Sequence, residues 1–165
     1  MKITFMQTGG TIDKDYPKVV NAYGFEITDP AVKEILEIAH PHFEFEIVTI
    51  MKKDSLDMDD SDRQKIKEAC ENADNDKIII THGTDTMVET AKFLGNIKGK
   101  TIILTGSKKP ERFMHSDASF NVGTAVGAIQ ELGEGVFIAM NGRIYTYDNC
   151  MEDKETGEFV ECKVV

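Results

Sequence analysis

The chain has 165 residues, 41% of them hydrophobic and 29% charged, a composition that excludes the disordered class and suffices for one hydrophobic core. Its 19 Lys+Arg against 29 Asp+Glu leave a formal net charge of −10 at pH 7, which argues against nucleic acid or an anionic membrane as a main partner, because phosphate binding needs a basic face. The three cysteines, Cys70, Cys150 and Cys162, are widely spaced and form no CxxC pair, so neither a disulfide framework nor a zinc site is expected, and a reducing cytoplasm is the simpler compartment.

In chain order, the first strand is expected at Ile3–Met6, an apolar stretch too short for a signal-peptide core. No later run reaches the roughly 20 apolar residues of a membrane span. The strand leads into Thr8-Gly9-Gly10-Thr11-Ile12-Asp13. Asp29-Pro30 then supplies an N-cap and a first-turn proline for a helix whose stripe is Val32, Ile35, Leu36 and Ala39. His40-Pro41-His42 reads as the helix stop and a turn, not as a metal site. A strand at Phe43–Ile50 alternates, as expected of an element with one wetter face near a sheet edge.

Ser61-x-x-Gln64 predicts a capping box for a helix burying Ile66, Ala69, Cys70 and Ala73. Continuous apolar strands at Ile78–Thr81 and Thr101–Leu104 flank a helix that starts near Thr84–Asp85, buries Met87, Val88, Ala91 and Leu94, and stops at Gly95. A fourth helix is expected from Ser116–Asp117 to Gly133, followed by a strand at Val136–Met140 and weaker ones at Ile144–Tyr147 and Phe159–Val164. This alternation predicts an α/β fold in a single domain spanning residues 1–165: a three-layer, doubly wound, flavodoxin- or Rossmann-like sheet that is mainly parallel.

In such a sheet the binding crevice lies beyond the carboxyl ends of the strands. Four consecutive ends carry glycines and hydroxyls: residues 8–13, 54–58, 82–87 and 105–110. Each has a plain structural explanation. Gly9-Gly10 makes a tight turn, Thr84 and Asp85 suit helix caps, Lys108-Lys109 suits a solvated loop, and Ser55 is ordinary in a polar stretch. The plain explanations leave the clustering of two threonine-containing glycine loops unexplained. A GxxxxGK phosphate loop, a GxGxxG turn after the first strand and a GxSxG nucleophile elbow are all missing from the sequence. The remaining candidate is a threonine nucleophile, which needs a nearby base and oxyanion donors.

Thr8-Gly9-Gly10-Thr11-Ile12 and Thr81-His82-Gly83-Thr84-Asp85-Thr86-Met87 together resemble the two signature motifs of the bacterial-type L-asparaginase/glutaminase family. Agreement continues through Asp54-Ser55-Leu56-Asp57-Met58, the 105–110 turn, and Ser116-Asp117 with Phe120-Asn121. The resemblance covers nearly the whole chain but only the family's amino-terminal domain, and the carboxy-terminal domain is expected to be absent. It implies Thr11 as the nucleophile on the side-chain amide carbon, assisted by Tyr23 from a mobile loop. Thr84 is implied as the second threonine of a Thr–Lys–Asp group, with Asp85 also binding the substrate α-amino group and Ser55 the α-carboxylate. Gly10, Gly83 and Ser107 complete the implied substrate-binding set. The implied reaction is acyl-enzyme hydrolysis releasing ammonia and aspartate, with no metal and no organic cofactor.

The sequence departs from the family pattern in two side chains. Leu56 stands where secreted members carry a polar residue that contacts substrate, so one ligand contact is expected to be lost. A gapless count from Asn141 puts Glu152 at the family's lysine position, and Lys154, two residues on, is expected to take that role. In the family a neighbouring subunit's second domain completes the site, so a homodimer or larger homo-oligomer is expected. The partner is expected to be a small amide or amino acid, with neither nucleic acid nor membrane involved. Two alternatives stand beside the hydrolase: an amino-acid-binding or regulatory module that keeps the pocket, and an amidase partner of a tRNA-dependent amidotransferase.

Overall fold

The computed structural model describes residues 1–18 and 24–162. Six strands form one sheet: β1 (Lys2–Gly9), β2 (Glu44–Lys53), β3 (Lys77–Thr81), β4 (Thr101–Thr105), β5 (Gly135–Met140) and β6 (Arg143–Thr146). Their spatial order is β2-β1-β3-β4-β5-β6. The first five are parallel, and β6 closes one edge antiparallel to β5. This is the doubly wound α/β architecture expected from the alternation of elements, with the strand order of the flavodoxin-like class.

Four helices connect the parallel strands: α1 (Ala31–Ala39), α2 (Asp60–Asn72), α3 (Met87–Leu94) and α4 (Ala118–Glu131). The pleat sorts neighbouring residues to opposite faces of the sheet. Ile79 and Ile103 pack with Val32, Ile35, Val122 and Ile129 of α1 and α4. Ile78, Ile80, Ile102 and Leu104 pack with Ile66, Val88, Ala91 and Leu94 of α2 and α3. The central isoleucines of β3 and β4 are fully buried, as strands covered on both sides must be. The alternating strand β2 is the open edge of the sheet.

Several local expectations are corrected. The capping box of α2 sits two residues earlier than Ser61-x-x-Gln64. Asp59 is the N-cap and accepts from Asp62 N at 3.0 Å, while Asp62 accepts from Asp59 N at 3.3 Å. A carboxylate there also meets the positive end of the helix. Asp29 does not cap α1; it is paired with Lys52 at 2.9 Å. The cap comes from far along the chain, where buried Asp13 accepts from Ala31 N at 2.8 Å. Helix α3 begins at Met87 rather than near Thr84, which leaves residues 84–86 as a turn outside the helix. The last strand is only Phe159–Val160, paired antiparallel with Met151–Glu152 in a separate ribbon. A second ribbon, Lys14–Asp15 with Glu26–Ile27, has no counterpart among the expected elements, because two-residue strands carry no periodicity.

Candidate active site

The carboxyl ends of β1, β2, β3 and β4 meet through backbone contacts that only glycine permits. Gly10 has φ 87°, and a Cβ there would run into the backbone N and Cα of Gly83. A Cβ on Gly83 would in turn collide with the Ser55 side chain. Positive φ and this close approach both exclude a side chain at position 10. The loops carrying Thr11, Ser55 and Thr84 are therefore in contact at the β1/β3 position where the strand order reverses.

Hydrogen bonds hold the loops in register. Gly10 N donates to Lys53 O at 3.1 Å and Thr8 Oγ1 to Thr81 O at 2.8 Å. Lys14 pairs with Asp54 at 2.7 Å, and Thr86 Oγ1 donates to Ser55 O at 2.8 Å. His82 is fully buried beneath the rim, with Nδ1 2.7 Å from Gly83 O and Nε2 2.9 Å from Thr90 Oγ1. A carbonyl can only accept, so Nδ1 carries the proton and Nε2 accepts from the hydroxyl. Burial lowers the His82 pKa to about 4 and keeps the ring neutral.

The expected site residues fall as follows. Thr11 opens a short 3-10 turn, Thr11–Asp13, and is half-buried. Its hydroxyl makes no hydrogen bond among the described residues. Ser55 is 1% exposed, yet its Oγ has no hydrogen-bond partner among the described residues. A buried hydroxyl left in that state costs about 1–3 kcal/mol, which a ligand acceptor or donor would recover. Asp85 is exposed on the turn after Thr84, and its carboxylate has no partner among the described residues. Ser107 is buried and donates to Lys109 O at 2.5 Å, so its hydroxyl serves its own loop. Leu56 is exposed beside Ser55. Tyr23 lies outside the described residues.

Lys154 does not reach Thr84. Its exposed side chain lies 3.4 Å from Glu152 Oε2. The amine beside Thr84 belongs to Lys108: Nζ is 3.3 Å from Thr84 Oγ1 and 2.7 Å from Glu152 Oε1. The sequence alone suggests a solvated loop for Lys108, because two adjacent lysines carry no local signal of burial. Its position at a strand-end loop facing Thr84 is the signal that could have found it. The backbone of that loop is fixed by Asp117, which accepts from Lys108 N at 3.0 Å and Lys109 N at 3.1 Å. Buried Asn121 ties the same loop to the end of β5, donating to Gly106 O and accepting from Asn141 N, each at 3.0 Å.

Among the described residues no group of three His, Cys, Asp or Glu side chains is placed to hold a metal ion, and no helix is long and apolar enough to cross a membrane. The chemistry on the rim includes the hydroxyls of Thr11, Ser55 and Thr84, the exposed Asp85 carboxylate and the Lys108–Glu152 and Lys14–Asp54 pairs.

Residues 2–152 match the family model for the asparaginase N-terminal domain. L-asparaginase 2 of Escherichia coli (strain K12) is 33% identical over 159 residues, covering 86% of this chain and 43% of its own length. A glutamyl-tRNA(Gln) amidotransferase component from Methanococcus vannielii is 35% identical over 149 residues, covering 86% of this chain and 34% of its own length. The thermostable L-asparaginase from Thermococcus kodakarensis superposes with a TM-score of 0.83 at 27% identity, covering 98% of this chain and 51% of its own. The chain spans less than half the length of these curated relatives. With its fold, both threonine loops and nearly its full length matched, the chain belongs to the asparaginase family and corresponds to that family's N-terminal domain.

Proposed function

We propose that the chain is an asparaginase-type amidohydrolase that converts the side-chain amide of L-asparagine, or of a related small amide, to the acid and ammonia. Thr11 Oγ attacks the amide carbon, the carbon–nitrogen bond breaks, and the nitrogen leaves as ammonia after taking up a proton. Water then hydrolyses the threonine ester and restores the hydroxyl. Tyr23 assists Thr11, and Thr84 donates to the oxygen that becomes negative. Ser55 Oγ receives the α-carboxylate, Asp85 the α-ammonium group, and Gly10, Gly83 and Ser107 shape the walls. The work is done in the cytoplasm by a self-associated chain. The free thiols of Cys70, Cys150 and Cys162 support a reducing compartment.

The observation that supports the hydrolase reading is the backbone contact of Gly10 with Gly83, which brings the two threonine-bearing loops together at one rim. The test is ammonia release from L-asparagine by the purified chain and by Thr11→Ala and Thr84→Ala. Each variant is expected to lose on the order of 10³-fold in kcat, as removal of a nucleophile or a key donor does. Unchanged release in both would overturn the roles given to the two threonines.

A second reading, an amino-acid-binding module with the same pocket, is favoured by one observation: the lysine beside Thr84 is itself engaged by Glu152. L-aspartate binding without ammonia release from any small amide is its signature.

A further inference from the structure

Two elements far apart in sequence converge on the Thr84 hydroxyl. The loop after β4 brings Lys108, and the ribbon Met151–Glu152/Phe159–Val160 brings a seat for it. Glu152 and Phe159 are paired directly across that ribbon. Both touch the same ammonium, Glu152 Oε1 at 2.7 Å and the Phe159 ring with its centroid 5.5 Å from Nζ. Cross-strand neighbours share a face, so the ribbon presents an anion and an aromatic ring together.

The seat is rigid. Tyr145 OH donates to Phe159 O at 2.6 Å and anchors the ribbon to β6. Asp153 Oδ1 accepts from Glu155 N at 2.8 Å and Thr156 N at 3.1 Å, closing the turn between the two strands. Phe159 is 4% exposed and the Glu152 side chain 10% exposed. On the other side, the carboxylate of Asp117 clamps the backbone of Lys108.

From this geometry, and resting on the hydrolase reading above, we propose that Lys108, seated by Glu152 and Phe159, is the positioning residue that orients the Thr84 hydroxyl toward the substrate amide. An ammonium has three donors and no acceptor. When it donates to Thr84 Oγ1, the hydroxyl cannot send its own proton back to Lys108 and turns it into the crevice. An oxygen that accepts a charge-assisted hydrogen bond is also a better donor. The arrangement differs from the one expected from the sequence, in which Lys154 serves as a base. Here the lysine donates to Thr84 Oγ1 and Glu152 Oε1 and acts by orienting the hydroxyl.

The test compares asparagine hydrolysis by the wild-type chain, Lys108→Met and the double variant Lys108→Glu/Glu152→Lys, with thermal unfolding recorded for each. Lys108→Met is expected to lose on the order of 10²-fold in kcat while KM changes by less than about threefold, because the lost interaction acts on the reacting group. The double variant restores an ammonium across the pair and is expected to regain roughly tenfold over Lys108→Met. A merely structural ion pair would lower the unfolding midpoint of Lys108→Met and leave the kcat of its folded fraction unchanged, and that result overturns the proposal. Wild-type turnover that Lys108→Met leaves within about twofold also overturns it, with the hydrolase reading intact. A wild-type chain that releases no ammonia overturns both.

Discussion

Gly10 is the residue on which the crevice depends most. Its φ of 87° and its contact with Gly83 leave no room for a Cβ. Gly10→Ala is expected to cost at least about 2 kcal/mol in urea unfolding. Gly127, in the middle of α4 with open space around it, is the matched control. There the same substitution is expected to stabilise by about 0.5–1 kcal/mol, as alanine does in a helix. Equal effects at the two sites would contradict the close-packed rim. At this scale the threonines and glycines are legible in the sequence, because their motifs are contiguous. Lys108 and Glu152 are not, since they are 44 residues apart and meet only through folding. His82 belongs to a legible motif, but its work beneath the rim depends on Thr90, which lies on the following helix.

At the scale of elements, the start of α1 shows what local capping rules miss. Asp29-Pro30 has the right residue types, yet the N–H of Ala31 is satisfied by Asp13, from the loop that carries Thr11. That carboxyl is buried in doing so. Its second oxygen has no partner among the described residues, and desolvation raises its pKa from 3.8 to about 6. A raised carboxyl contributes stability that is full below 3.8 and lost as pH rises through about 6. Buried His82 acts in the opposite sense. Its pKa is lowered from 6.5 to about 4, so its contribution is full above 6.5 and lost as pH falls through about 4.

The two act in opposite directions over the same pH range in the wild-type chain. Removing one exposes the other. Between pH 4 and 6.5, the unfolding free energy of Asp13→Asn is expected to rise by about 3 kcal/mol more than that of the wild type. Denaturant melts across that range check it, and parallel curves for the two proteins would contradict the placement of Asp13. The long helices and central strands are legible from their periodicity and apolar runs. Helix starts and two-residue ribbons are not, because distant side chains and loop packing decide them.

At the scale of the whole molecule, the order β2-β1-β3-β4-β5-β6 sets the position of the chemistry. Strand order cannot be read from one sequence, but the rule that ligands sit beyond parallel strand ends needs only the alternation of elements. It singles out four loops, and all four are in contact in the structure: those carrying Gly10, Ser55 and Gly83 through their glycines, and the 105–110 loop through Gly106 against His82 O and Lys108 against Thr84. Another concavity, lined by Asp29, Lys33, Glu34, Thr49 and Arg112, lies beside α1. Arg112 there is engaged with Glu34 at 2.6 Å and Thr28 Oγ1 at 2.9 Å. Its charged walls make it the natural competitor for an amino-acid ligand.

The most direct measurement is a crystal structure of the chain grown with saturating L-aspartate, the expected product. The predicted result is aspartate on the rim, with its α-carboxylate on Ser55 Oγ, its ammonium group on Asp85 and its side-chain carboxylate between Thr11 and Thr84. Aspartate in the Arg112 cleft, or a rim left empty at saturation, would contradict the assignment of the strand-end loops as the site.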